Sequence, residues 1–144
     1  MEFSRDGYLM NKFNFRSSWD CNVPMMRSAE MFLIEAEAQS ELNRDDLAQK
    51  ALFEVQKRAI TGATISTNTG VALKNEIRDE RRKELYGEGF RLYDITRRKE
   101  TLIRTSADHW SPITLAPGDF RNILPIPRNE IDVSGIKQNV GYPQ

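Results

Sequence analysis

From Met25 onward the apolar and small residues recur with helical spacing. Met25, Ala29, Phe32, Leu33, Ala36 and Ser40 fall on one stripe of a 3.6-residue period, which predicts a helix over about residues 24–42. Asn43 and Arg44 make a tight link. Asp45 is placed to cap a second helix, whose own stripe is Leu47, Ala48, Ala51, Leu52, Val55 and Ala59, with Gly62 as its stop. A link this short makes the two helices antiparallel neighbours, and Ala29, Ala36, Ala48 and Ala51 allow their axes to come close.

Residues 61–70 are rich in Thr, Ser, Asn and Gly, a loop composition that also offers capping hydroxyls. A third helix is predicted over residues 71–86, ended by Gly87 and Gly89, and a fourth over 90–99 with Phe90, Tyr93 and Arg97 along one side. Periodicity is then lost from Glu100 to Asp119. That stretch reads as one loop of about 20 residues around His109 and Trp110, and loops of that length are often functional. The apolar run 122–127 is interrupted by Pro125 and Pro127, so it is expected to be an extended, buried strap along other elements and not a central strand. Residues 1–24 carry Phe3, Tyr8, Phe13, Phe15 and Trp19 without any period and read as an irregular segment leading into a helical part, residues 25–144. The expected fold class is mainly α: a tetratricopeptide-like helical hairpin, two further helices, long loops and an extended proline-rich C-terminal segment.

A helix pair of roughly 34 residues has the length of one tetratricopeptide unit, and such units bury their apolar faces only by stacking about three or more together. One pair stands here. Ile34 lies between Glu30 and Glu37 on a face the partner helix does not cover. These two observations lead us to expect a fragment of a larger domain, with further polypeptide shielding that flank.

The third helix changes character along its length. Its stripe begins with Leu73 and Ile77 and continues into Arg81, Glu84 and Glu88, with Glu80 and Leu85 on the same side, and downstream Arg91 and Asp94 are one helical turn apart. Glu80, Glu84, Glu88 and Asp94 could supply a carboxylate pair of the glycosidase kind. The favoured reading is a partly buried ion network in which Arg81, Arg82, Glu84, Arg91 and Asp94 lock helices together, because buried charges persist only when paired.

Composition narrows the remaining chemistry. A chain of 144 residues suits one domain, and with 21 basic and 21 acidic residues it has no positive excess for a nucleic-acid backbone. Cys21 is the sole cysteine and His109 the sole histidine, so neither an intrachain disulfide nor a Cys/His metal cage is expected, and no cofactor is implied. His109 has no partnering nucleophile motif and reads as a loop histidine. Gly87-Glu88-Gly89 follows a helix and not a strand, so it reads as a helix stop and not a phosphate loop. Glu2, Arg5 and Asp6 stand where a signal peptide needs an apolar core, and no run approaches the roughly 20 apolar residues of a membrane span, so the chain reads as soluble, either intracellular or with a targeting segment elsewhere. Trp19 and Trp110, with Tyr8, are the candidates for stacking on a sugar ring or another flat ligand face.

Three segments resemble motifs of one known family. Residues 27–38, RSAEMFLIEAEA, are similar to its "R-x-A-E-x-x-L-x-x-A-E-A" helix; residues 80–97, ERRKELYGEGFRLYDITR, to its "E-R-R-x-E-L-x-x-E-G-x-R-x-x-D-L-x-R"; and residues 124–132 with 138–142 to its terminal "L-P-I-P-x-x-E-I" and "Q-N-P-G-Y". The family is SusD/RagB, the surface lipoproteins of bacterial glycan uptake, and the order of the motifs is the family's own. Ser134-Gly135 stands where members often have Asn-Pro, and Val140 replaces a proline.

The resemblance implies the C-terminal region of a longer, non-enzymatic protein that binds glycan or another nutrient at the outer-membrane surface. It implies a SusC-like TonB-dependent transporter as partner, and an N-terminal remainder carrying the lipid anchor and most tetratricopeptide-like helices. Cys21 does not fit a lipobox. The resemblance also assigns Glu30, Arg81, Glu84, Arg91 and Asp94 to holding helices, and residues 124–127 to strapping the base. It transfers no ligand residue, so Trp110 and Trp19 rest on composition alone. The alternative is a helical-repeat scaffold whose groove beside residues 25–42 receives a partner helix, and a glycoside hydrolase comes third.

Overall fold

The computed structural model describes residues 25–105 and 111–143. Trp19, Cys21, His109 and Trp110 lie outside the described residues, as does the whole of the segment 1–24. The chain divides into two compact units, residues 1–89 and 90–144. It is mostly helical.

The N-terminal unit contains α1 (Ser28–Glu41), α2 (Asp45–Ala59) and α3 (Gly70–Glu84). Helix α1 buries Ala29, Leu33, Ala36 and Ser40, and α2 buries Ala48, Ala51, Leu52 and Val55, the central part of each expected stripe. Met25, Phe32, Leu47 and Ala59 of those stripes are exposed, because they lie at the margins of the contact between the helices or beyond it. Leu73 and Ile77 of α3 complete one continuous apolar cluster with them. Full burial of a side chain such as Leu33, Leu52 or Leu73 stabilises a fold by about 1.5–3 kcal/mol. Buried Ser40 donates its hydroxyl to the Glu37 carbonyl at 2.8 Å, so its polar group enters the core satisfied.

The link between α1 and α2 is a Schellman turn. Arg44 N–H donates to the Gln39 carbonyl at 2.9 Å and Asn43 N–H to that of Ser40 at 3.2 Å. Asn43 takes the left-handed conformation at φ 57°, which asparagine tolerates better than most residues. Asp45 does not cap α2. It is the first helical residue, and its carboxylate accepts the N–H of Gly70 at 2.8 Å, so it caps the start of α3 across the loop. The helix it was expected to cap ends at Ala59, three residues short of Gly62. The loop between α2 and α3 is fastened down: Gln49 donates to the Asn68 carbonyl at 2.8 Å, and the Glu76 carboxylate accepts from Ser66, Asn68 and Gln56. Burial opposes ionisation of Glu76, but those three hydrogen bonds and the charge of Lys83 outweigh it and hold its carboxyl below the ordinary value.

The C-terminal unit departs further from expectation. It contains α4 (Arg91–Arg97), strands β1 (Leu102–Arg104) and β2 (Ile113–Leu115), a 3₁₀ turn (Phe120–Asn122) and α5 (Arg128–Ser134). The stretch expected to be a single loop therefore holds an antiparallel strand pair, with Leu102 opposite Leu115, Ile103 opposite Thr114 and Arg104 opposite Ile113. Three-residue strands are too short to show an alternating pattern. Helix α5 was also unforeseen; it follows Pro127 and stops at Gly135, whose φ is 66°. Residues 124–127 are extended as expected but not buried, since Leu124 is 83% exposed.

Candidate functional site

The charged motif at the end of α3 builds a polar cluster where the ends of three helices of the N-terminal unit meet. Arg27, just ahead of α1, places Nη2 2.8 Å from Glu84 Oε1 and 2.8 Å from Glu88 Oε1. The same guanidinium donates to the Glu84 carbonyl at 2.9 Å and to Glu88 Oε2 at 3.3 Å. Arg58, in the last turn of α2, adds a bond to Glu84 Oε1 at 2.6 Å. Glu84 thus ties the start of α1, the end of α2 and the end of α3 at one point. Gly87 and Gly89, at φ 80° and 84°, turn the chain after α3, a conformation that costs glycine no steric penalty.

Burial works against ionised Glu84, but hydrogen bonds from Arg58 and Arg27, helped by their charge, outweigh it and hold the carboxyl below its ordinary value. A glycosidase acid needs the opposite displacement, a proton retained near neutral pH. Glu84 is therefore built to stay charged and paired. Among the described residues no group of His, Cys, Asp or Glu is arranged to hold a metal ion.

The other charges named from the sequence are distributed as follows. Arg81 and Glu80 are both buried on α3, and Glu30 is half-buried in the first turn of α1. In the C-terminal unit Asp94 is buried and receives Arg97 at 3.0 Å, while Arg91 stands 3.7 Å from Glu100, which also takes Arg98 at 3.0 Å. The one-turn spacing of Arg91 and Asp94 had suggested that they share a face, yet Asp94 is inside and Arg91 is exposed. Arg27 and Arg58 were not identified as the partners of Glu84. They lie 57 and 26 residues away in sequence, and no local pattern marks such a contact.

The C-terminal unit also carries an open cleft of about 590 Å³ between the end of α4 and residues 117–123. Ile95, Pro117 and Ile123 give it apolar walls, and Lys99, Asp119 and Asn122 give it polar ones. Asp119 is locked to Arg121 by side-chain and backbone hydrogen bonds, which hold its pKa at about 2. Lys99 sits at φ 54° as the left-handed residue of the Schellman turn closing α4, where Glu100 N–H reaches the Ile95 carbonyl at 2.9 Å.

The motifs of residues 80–97 and 124–142 thus organise two local polar structures, and the comparison with known proteins agrees with that pattern. The SusD family model matches residues 1–142. The chain belongs to the SusD family. A SusD-like protein of Formosa agariphila is 30% identical over 132 residues, covering 85% of this chain and 25% of that protein. Among solved structures, a candidate sugar-binding protein of Bacteroides vulgatus superposes with a TM-score of 0.78 at 30% identity, covering 90% of this chain and 31% of its own. A SusD-like carbohydrate binding protein, also of Bacteroides vulgatus, gives a TM-score of 0.52 at 34% identity, covering 74% of this chain and 24% of its own. This SusD-family chain therefore spans about a quarter to just under a third of the length of such relatives.

Proposed function

We propose that this SusD-family chain serves in a protein that binds glycan or another nutrient at the outer-membrane surface and passes it, unaltered, to a SusC-like TonB-dependent transporter. The single observation that carries this reading is the family match across residues 1–142. Two relatives whose names specify sugar or carbohydrate binding support the ligand class. The carboxylates of the charged motif support binding without turnover, since Glu84 and Glu88 both face Arg27 and are occupied in holding helices. In this reading a lipid anchor belongs to sequence N-terminal to residue 1, and Trp19 and Trp110 are the stacking platforms for a sugar ring.

Isothermal titration of the native protein against an oligosaccharide panel, with chromatography of the same mixtures, tests the proposal. Saturable heat with the oligosaccharide recovered intact is the expected result. Release of shorter products would overturn the non-enzymatic part, and no heat with any member of the panel would overturn the ligand class. Trp110→Ala and Trp19→Ala are expected to weaken binding of the oligosaccharide, at most by about the 1–3 kcal/mol that a base gains by stacking on an aromatic face.

A further inference from the structure

The closing segment of the chain contacts residues 120–126 in an unusual currency. Gln138 holds both polar groups of Ile126, accepting its N–H at 2.8 Å and donating to its carbonyl at 2.9 Å. Asn139 donates to the Leu124 carbonyl at 2.8 Å, and the Tyr142 hydroxyl to that of Ile123 at 2.8 Å. Pro125 and Pro127 carry no N–H, so these side chains meet the needs of the extended run much as a neighbouring strand would. The end of the segment is pinned by packing: Tyr142 stands edge-on to Phe120 with ring centroids 5.0 Å apart. Gly141, at φ 95°, lies so close that an added Cβ would fall 2.5 Å from Phe120 Cγ.

We propose that residues 138–142 are a latch that opens and closes as one unit, exposing the extended edge of residues 123–126 without unfolding the helical core. The physical grounds are the kinds of contact involved. Its hydrogen bonds from Asn139 and Tyr142 are exposed, those of Gln138 are only partly buried, and its apolar anchor among the described residues is the Phe120–Tyr142 ring pair; regions of that kind open at lower free energy than the global transition. The contacts are also geometrically linked. Gly141 and Tyr142 seat against Phe120 and Ile123 only two to four residues after Gln138 and Asn139, which meet Ile126 and Leu124, so displacing one end of this short stretch displaces the other. With the latch open, the carbonyls of Ile123, Leu124 and Ile126 and the N–H of Ile126 lose these partners and turn to water, as on any unprotected strand edge.

Amide hydrogen exchange on the intact protein tests this, read at Ile126 and at Leu33 and Leu52 of the core. Tyr142→Phe and Gly141→Ala touch no atom of Ile126, yet both are expected to speed its exchange roughly fivefold or more, the equivalent of one lost hydrogen bond, as Gln138→Ala does directly. Core amides should keep their wild-type rates. If only Gln138→Ala affects Ile126, the contacts are independent and the latch does not exist. If the core amides accelerate in step with Ile126, opening is global and the proposal is equally overturned.

Discussion

The two units place polar side chains to opposite ends. In the N-terminal unit the core is an apolar cluster of leucine, isoleucine, valine and alanine, and the Arg27–Glu84–Glu88 cluster fixes the ends of helices that this burial brings together. In the C-terminal unit the apolar support is slight. Ile95 and Leu115 are its buried hydrophobic residues among those described, and amide and hydroxyl groups of residues 138–142 hold the extended run in place. The same kinds of residue adjust a packed structure in one region and constitute the structure in the other. Burial is non-directional and tolerates variation, whereas hydrogen bonds to named backbone atoms depend on residue identity.

The contrast is sharpest for a core truncation. Leu52→Ala is expected to destabilise the N-terminal unit by about 2–5 kcal/mol, measured by urea unfolding followed through amides of α1 and α2. A much smaller loss would mean that the core is not what holds the three helices. Next in size is Glu84→Ala, which removes the carboxylate that Arg27 and Arg58 share, leaves Arg27 with Glu88 and the main-chain carbonyl, and should cost about 1.5–3 kcal/mol. A double-mutant cycle with Arg27→Ala should show that the two losses overlap.

Acid provides a related test. Because Glu84 and Glu76 have carboxyl pKa values below the ordinary 4.5, their contribution is fully present above that value and is lost as the pH falls through the lower, folded-state pKa. Stability of the N-terminal unit should therefore fall as the pH drops below about 4.5, and Glu84→Gln should flatten that slope. An unchanged slope in the variant would remove Glu84 from the cluster's energetics. The smallest effect is expected for Arg58→Ala. Its side chain is 58% exposed, so removing it should cost well under 1 kcal/mol despite the 2.6 Å contact. A loss comparable with that of Glu84→Ala would show that the exposed arginine matters more than its solvation allows.

The helical hairpin was legible because α1 and α2 run for 14 and 15 residues, long enough for apolar and small residues to recur at helical spacing, even though α1 also carries exposed Met31, Phe32 and Ile34 off its buried face. The strand pair was not, since three residues hold no period. Helix α5 did leave a signal, with Pro127 before it and Gly135 after it, but seven residues with no buried position produce no stripe. Gly135 also explains one departure from the family pattern. At φ 66° it adopts a conformation closed to proline, whose ring fixes φ near −65°. Val140, the other departure, is 91% exposed, so no packing contact calls for a proline there.

In the charged motif the residue types were legible and the pairings were not. Interrupting an apolar stripe with Arg81, Glu84 and Glu88 announces paired charges, yet Arg27 and Arg58 become partners of Glu84 only after three helices have assembled.

The sequence by itself determined that Leu33, Leu52, Leu73 and Ile77 would turn inward, because side-chain direction along a helix follows from backbone periodicity. It also determined the family, through motifs whose order survives without any knowledge of their contacts. Only the tertiary structure decided that Asp45 caps α3 and not α2, that Arg27 rather than a neighbour on α3 clamps Glu84, and that Gln138 stands in for a strand beside Ile126. Each of these is a contact between residues far apart in the chain, made by directional groups that find their partners only where packing has first brought the backbone.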